Sequence, residues 1–377
     1  MIMQVEHINK YFNSNPAIFL LAIASLVGFS SFMSLKLPMS EWHASNLSFD
    51  YGFEYIKRGL PGQFIHLFFG NNLNLLQLQN IALGIYGIFV GLLVIFFFIF
   101  FRFNPLLAFA ILISGFSLQQ FGYEIGRVDQ INFIILLLCI FCSFIRQLPS
   151  MLNLIIQCCG CLTMLLVHEA AILLFIPLLL SLQYFRKEPI GLLIFLFIFS
   201  SLCFCLNIYF GKLNTHSFEE LVLYSTNANT GFNIDSSALS IYEKSLSDNI
   251  LNTLDRLFSK KTLSRMLLII VVSLPALLII KACFIQITKE RSSVDKLAFI
   301  FPAIAVIPLF FLGIDFYRWI SILLFCYFLL ITSLIHHLKL KLNISYKYIL
   351  AAIIFGIYSG PYGITVALPE RLQLIGL

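Results

Sequence analysis

The sequence predicts an all-α fold, a polytopic integral membrane helical bundle. Two observations predict it. Hydrophobic residues make up 60% of the chain and charged residues only 11%, where a soluble domain carries roughly 45–50% and 25%. The apolar residues also come in long runs, such as 92–101, that do not alternate. A membrane barrel would alternate, and lipid leaves the helix as the other way to satisfy the backbone. The mean hydropathy of +0.94 agrees. An ordinary soluble enzyme, a disordered chain and a secreted disulfide scaffold are excluded. The net charge of +6 comes without a compact basic run, so the bilayer, not nucleic acid, is the expected partner. The 9 cysteines all fall in apolar stretches, where they act as small hydrophobes. Cys158-Cys159-Gly160-Cys161 has no polar ligands at zinc spacing nearby, so no metal site is assigned there.

A spanning helix needs about 20 apolar residues, and on that criterion about eleven transmembrane segments are expected. In order they are 16–37, 78–101, 105–122, 128–145, 151–167, 169–184, 189–210, 265–287, 296–313, 316–335 and 347–366. The first has no clean cleavage site after its apolar run and reads as a retained span. The stretch 151–184 is too long for one pass and short for two. Two short or broken passes joined at His168-Glu169 place the basic residues at its ends on one side, as the positive-inside rule prefers. A broken or re-entrant helix there is the alternative.

With the N-terminus inside, the short links at 102–104, 146–150, 185–188 and 288–296 are basic and compact, as cytoplasmic links are. The acids crowd the outer side. Two outer loops are long, at about 38–77 and 211–264, and loops of that length are often functional or carry their own helices. The second holds the polar run Ser225–Thr230 and the basic residues Lys260, Lys261 and Arg265. No internal repeat is evident. Residues 1–377 read as a single membrane domain.

Ionisable groups near membrane depth are functional candidates by default. Five outward-facing groups stand out. In Asp50-Tyr51-Gly52-Phe53-Glu54-Tyr55-Ile56-Lys57-Arg58, a helix before Gly59 would align Asp50, Glu54 and Arg58 at spacings of four. Gly59-Leu60-Pro61-Gly62 would then stop it. Such a stripe suits a carboxylate that takes a proton beside an arginine that holds phosphate; the plainer alternative is an interfacial amphipathic helix. In Glu124-Ile125-Gly126-Arg127-Val128-Asp129, Asp129 could cap the next helix while Arg127 points to the loop or snorkels. His168-Glu169 is costly within an apolar stretch unless used or paired. Asp315 and Arg318 are spaced to pair, and Tyr317 and Trp319 suit the aromatic belt. Glu41-Trp42-His43 is the least specific.

No GxxxxGK[ST] loop, HExxH, GxSxG elbow or usable GxGxxG fingerprint occurs, and no TVGYG filter. Gly126-Arg127-Val128-Asp129-Gln130-Ile131-Asn132-Phe133, followed by an Ile/Leu run, is similar to the charged-x-Asp pattern of the type C (GT-C) membrane glycosyltransferases. The acids of the first outer loop, Asp50 and Glu54, sit where that family carries its acidic residue. The same features resemble bacterial polymerases of O-antigen and exopolysaccharide. The large C-terminal outer domain of many GT-C enzymes has no counterpart here.

The resemblance implies a membrane glycosyltransferase or polysaccharide polymerase of the cell envelope, in the bacterial inner (cytoplasmic) membrane. Its donor would be a sugar or oligosaccharide on polyprenyl phosphate, used at the outer face. It implies Asp50 as base with Glu54 as alternate, and Arg58, Arg127 and Arg318 at the phosphate. His168 and Glu169 would orient the acceptor or share the proton, with Asp129 and Asp315 lining the substrate site. No cofactor is demanded, although converging carboxylates leave room for a divalent cation. The competing class is a transporter or flippase for a lipid-linked or anionic solute.

Overall fold

The computed structural model describes residues 11–361 apart from 13, 36, 101–104, 146–147, 214–215, 230, 243–245, 314 and 341–343. Link 102–104, residues 146–147, Thr230 and positions 362–366 of the last expected span lie outside the described residues.

Among the described residues the chain is helical, with one isolated bridge between Asn74 and Gly231. The helices are α1 (Pro16–Ser34), α2 (Glu41–Leu47), α3 (Leu60–Phe69), α4 (Leu75–Phe100), α5 (Pro105–Ile113), α6 (Leu118–Tyr123), α7 (Asp129–Ser143), α8 (Ser150–Val167), α9 (Ala171–Leu174) and α10 (Ile176–Phe185). They continue with α11 (Ile190–Phe210), α12 (Phe218–Ala228), α13 (Ser236–Leu239), α14 (Leu246–Leu257), α15 (Lys260–Thr288), α16 (Ser293–Val306), α17 (Leu309–Leu312), α18 (Phe316–Leu338) and α19 (Tyr346–Ser359).

Seven helical stretches are long and apolar enough to cross a membrane, and four shorter apolar helices accompany them. The chain is a helical integral membrane protein. Burial sorts the helices: in the apolar windows of α18 and of the 106–123 stretch 83% of residues are buried, against 17% in α11, so the first two lie inside the bundle and α11 at its rim.

Between α8 and α9 the backbone extends at His168 (φ −159°, ψ 121°). The chain then turns back, because Asn153 near the start of α8 donates to Gln183 near the end of α10 at 3.0 Å. Ser143 of α7 accepts from Gln157 at 3.0 Å and from Gln183 at 2.7 Å. These amides tie α7, α8 and α10 together within the bundle, where an unpaired polar group would be costly. His168-Glu169 is thereby the tip of an antiparallel hairpin.

Four phenylalanines lock the centre. Phe133 of α7 lies 4.8 Å from Phe121, 5.1 Å from Phe325 and 5.5 Å from Phe89, ring centre to ring centre. Tilted and edge-on ring pairs of this kind hold specific geometry as well as burying apolar surface. Phe133 is one turn below Asp129, and Phe325 two turns below Arg318. The aromatic cluster fixes the two helix ends on which the polar site is built.

Candidate functional site

The first long loop departs from the expected helix. Residues 48–59 form an irregular loop after α2, and Leu60-Pro61 opens α3 instead of ending a helix. Proline fits the first turn, where its missing N–H costs nothing. Asp50, Glu54 and Arg58 therefore do not form a helical stripe. Half-buried Glu54 stays in the loop, while Asp50 and Arg58 turn to different partners.

Asp50 meets His66, which sequence reasoning did not single out. The Asp50 Oδ2 and His66 Nδ1 atoms are in direct hydrogen-bond contact. Asp50 Oδ1 accepts from the Gly52 N–H at 3.0 Å and from the Tyr224 hydroxyl at 3.2 Å. Burial works against the Asp50 charge. The bond and attraction from His66, with the bonds from Gly52 and Tyr224, outweigh it and hold the carboxyl below its ordinary value.

Two local devices build this contact. A Cβ on Gly62 would stand 1.9 Å from the Phe49 carbonyl oxygen, so only glycine lets α3 lie on that backbone. His66, one turn on, is thereby brought to Asp50. On the other side Ser217 and Glu220 form a capping box that starts α12 and sets the position of Tyr224. Phe64, Leu67 and Phe68 on the opposite face of α3 are 50%, 69% and 71% exposed, as in an interfacial helix.

Arg58 grips Glu169 at the hairpin tip. Its Nε donates to Oε2 at 2.7 Å and its Nη2 contacts Oε1, a bidentate fork. Arg58 holds a left-handed backbone at φ +66°, which non-glycine residues mostly avoid. Half-buried Lys57 beside it is pushed down by burial; Glu169 opposes this, and Arg58 and Lys212 add to it. His168 is 3% exposed. Its Nδ1 accepts from the Ala170 N–H at 3.0 Å, so the neutral ring carries its proton on Nε2, a buried atom with no partner.

A second cluster joins α6, α7 and α18. Arg318 lies 3.2 Å from Asp129 and 3.3 Å from Asp315. Arg127 lies 3.3 Å from Glu124 and 3.5 Å from Asp315, and stacks over Trp42 at 4.6 Å. The turn from Glu124 to Arg127 is possible because Gly126 takes φ +88°. The expected capping role of Asp129 is not seen: α7 starts without a side-chain cap, because the carboxylate is drawn to Arg318 instead. Cap or not, a carboxylate in the first turn suits the helix dipole.

The charged groups belong to one site. His168 lies within the fields of Arg58, Glu169, Asp129 and Arg318 together. Tyr242, also missed from sequence, stacks on Phe49 at 4.7 Å and lies within the fields of Arg58 and Glu169. It links the Asp50–His66 pair to the Arg58–Glu169 pair. Among the described residues no group of three or more His, Cys, Asp or Glu side chains is placed to hold a metal ion.

An apolar groove of about 700 Å³ runs between α3, α4, α7 and α8, lined by residues such as Phe64, Ile65, Ile81, Ile131 and Ile134. Its walls include Val167, next to His168 in the chain, and Leu60 and Pro61, two and three residues after Arg58. It thus borders the charged site.

No model of a protein family, no curated protein and no solved structure matches this chain.

Proposed function

We propose that the protein is a membrane glycosyltransferase or polysaccharide polymerase of the cell envelope. It uses a sugar or oligosaccharide carried on polyprenyl phosphate at the outer face of a bacterial inner membrane, in a GT-C-like bundle of about eleven spans. The supporting observation is the nearness of two unlike surfaces: the walls of an apolar groove of about 700 Å³ include Val167, next to His168 in the chain, and Leu60, two residues after Arg58. A long isoprenoid tail fits the groove, and its phosphate then lies at the charged site.

The chemistry follows from the side chains. Glu169 occupies the Nε–Nη2 edge of Arg58 and leaves the opposite edge of the guanidinium for a phosphate. The His168 Nε2–H is a second donor. Arg127 and Arg318, each already paired with acids, set the field around the leaving phosphate rather than gripping it alone. The acceptor hydroxyl loses its proton at the Asp50 end of the site.

The test is surface-glycan profiling of cells carrying Asp50→Asn against wild type at matched membrane levels, with lipid-linked sugars extracted in parallel. A shortened glycan with unextended donor at the outer face supports transfer. Donor trapped at the inner face points to a flippase. An unchanged glycan at equal protein level sinks the reading.

A further inference from the structure

We propose that His66, oriented by Asp50, is the base that deprotonates a carbohydrate acceptor hydroxyl. This rests on the glycosyl-transfer reading above and names the atom within it that takes the proton.

The hydrogen bonds single that atom out. Asp50 is fully engaged: Oδ2 faces His66, and Oδ1 accepts from Gly52 and Tyr224. Glu169 has both oxygens on Arg58. Asp129 and Asp315 face arginines. His168 carries its proton on Nε2 because Nδ1 already accepts from Ala170, so it donates there. His66 is the reverse case. A carboxylate at Nδ1 requires the proton on Nδ1, so in the neutral ring, the form that can act as a base, the lone pair is on Nε2. That Nε2 is buried and without a partner, in a side chain only 6% exposed. A buried nitrogen of this kind is costly unless a ligand meets it.

The surroundings fit a sugar. Tyr51 stacks on Tyr55 at 5.3 Å, and Phe53 packs on Tyr224 at 5.2 Å. Tyr55 is 41% exposed, so the loop presents aromatic faces outward. Such faces receive the C–H side of a pyranose while hydroxyls point to polar groups. The dyad and the apolar groove lie on opposite faces of α3, so donor tail and acceptor need not compete for space.

The step balances. The acceptor O–H proton moves to His66 Nε2, and the acceptor oxygen bonds to the anomeric carbon of the donor. The bond from that carbon to the phosphate oxygen breaks, and its electron pair leaves on the lipid phosphate. The Asp50 carboxylate then faces an imidazolium, whose charge it stabilises.

The experiment uses the full chain in native membranes, with surface glycan and the lipid-linked sugar pool as readouts. His66→Asn keeps a donor toward Asp50 but has no base, and transfer should fall roughly 100-fold or more at wild-type protein level. His66→Ala should regain activity when imidazole is added, whereas Asp50→Asn should not; a merely structural histidine would not respond to imidazole. Near-normal transfer by His66→Asn overturns the assignment while leaving the glycosyl-transfer reading intact. A stable His66→Ala deaf to imidazole also overturns it. If wild-type chain and empty membranes give the same glycan and lipid-linked pool, both readings fall together.

Discussion

Arg318 and Asp129 are 189 residues apart in the chain and meet at 3.2 Å, each standing in the first turn of its helix. Both are buried, at 7% and 3% exposure. A buried pair of this kind is weak evidence for stability, but removing Arg318 strands Asp129, and removing the Asp129 charge leaves Arg318 with Asp315 alone, at a cost of up to about 3–5 kcal/mol. Arg318→Met and Asp129→Asn should each lower the thermal midpoint of the detergent-solubilised protein. The double variant should lose less than the sum, because neither charge is left stranded. Strictly additive losses would show that the two groups do not act as a pair.

Gly62 tests the seat of α3. Alanine there would place its Cβ 1.9 Å from the Phe49 carbonyl oxygen, whereas at Gly84 nothing lies within 4 Å. Backbone cannot swing aside as a side chain does, so Gly62→Ala should displace α3 and separate His66 from Asp50. Gly84→Ala, within α4, should leave stability unchanged or raise it by about 1 kcal/mol through helix propensity. Thermal unfolding of the two variants side by side reads the contrast. Equal behaviour would mean that α3 does not rest on Phe49 as described.

How much of this was legible follows from range. Apolar run length is a local quantity, and the expected stretches coincide with helices: 128–145 with Asp129–Ser143, 189–210 with Ile190–Phe210. The Asp315–Arg318 pairing is also local, three residues apart. The hairpin at His168-Glu169 was legible because two adjacent ionisable groups interrupt the run. Partners across the chain were not. Arg58 and Glu169 are 111 residues apart, and no spacing rule connects them. The helical stripe expected for 50–58 failed because Asp50 and Arg58 find stronger partners outside the loop than a helix offers within it. His66 escaped notice as a lone histidine in the mostly apolar Leu60–Phe69; its spacing of four from Gly62 was a signal available.

The Arg58 fork is specific to arginine. Lysine offers one point charge and cannot bind both Glu169 oxygens in a plane. On the proposed function, Arg58→Lys keeps the charge and should still cut glycan transfer by roughly 10-fold or more, since a lost charge-assisted bond is worth about 1.5–3 kcal/mol. Glu169→Gln keeps the shape and removes the charge, and should weaken the same function. Wild-type transfer by Arg58→Lys, at equal protein level, would show that the fork geometry is dispensable.

The Asp50 carboxyl gives a pH dependence with a definite sign. Burial raises its titration point, and the contacts from His66, Gly52 and Tyr224 more than reverse that. Its folded value thus lies below its unfolded value of about 3.8. The stabilisation is fully present above the unfolded value and is lost as pH falls through the folded one. Across roughly pH 5–8 Asp50 stays charged, so the packing of the 48–59 loop against α3 and α12 should not change there. Hydrogen exchange of the Gly52 amide, which donates to Asp50 at 3.0 Å, follows this directly. Its protection should hold to acid pH in the wild type and be weaker at neutral pH in Asp50→Asn, where the acceptor is no longer anionic. Protection lost already near neutrality in the wild type would mean that the carboxyl is raised instead of lowered, and that the contacts of His66 and Tyr224 do not hold its charge.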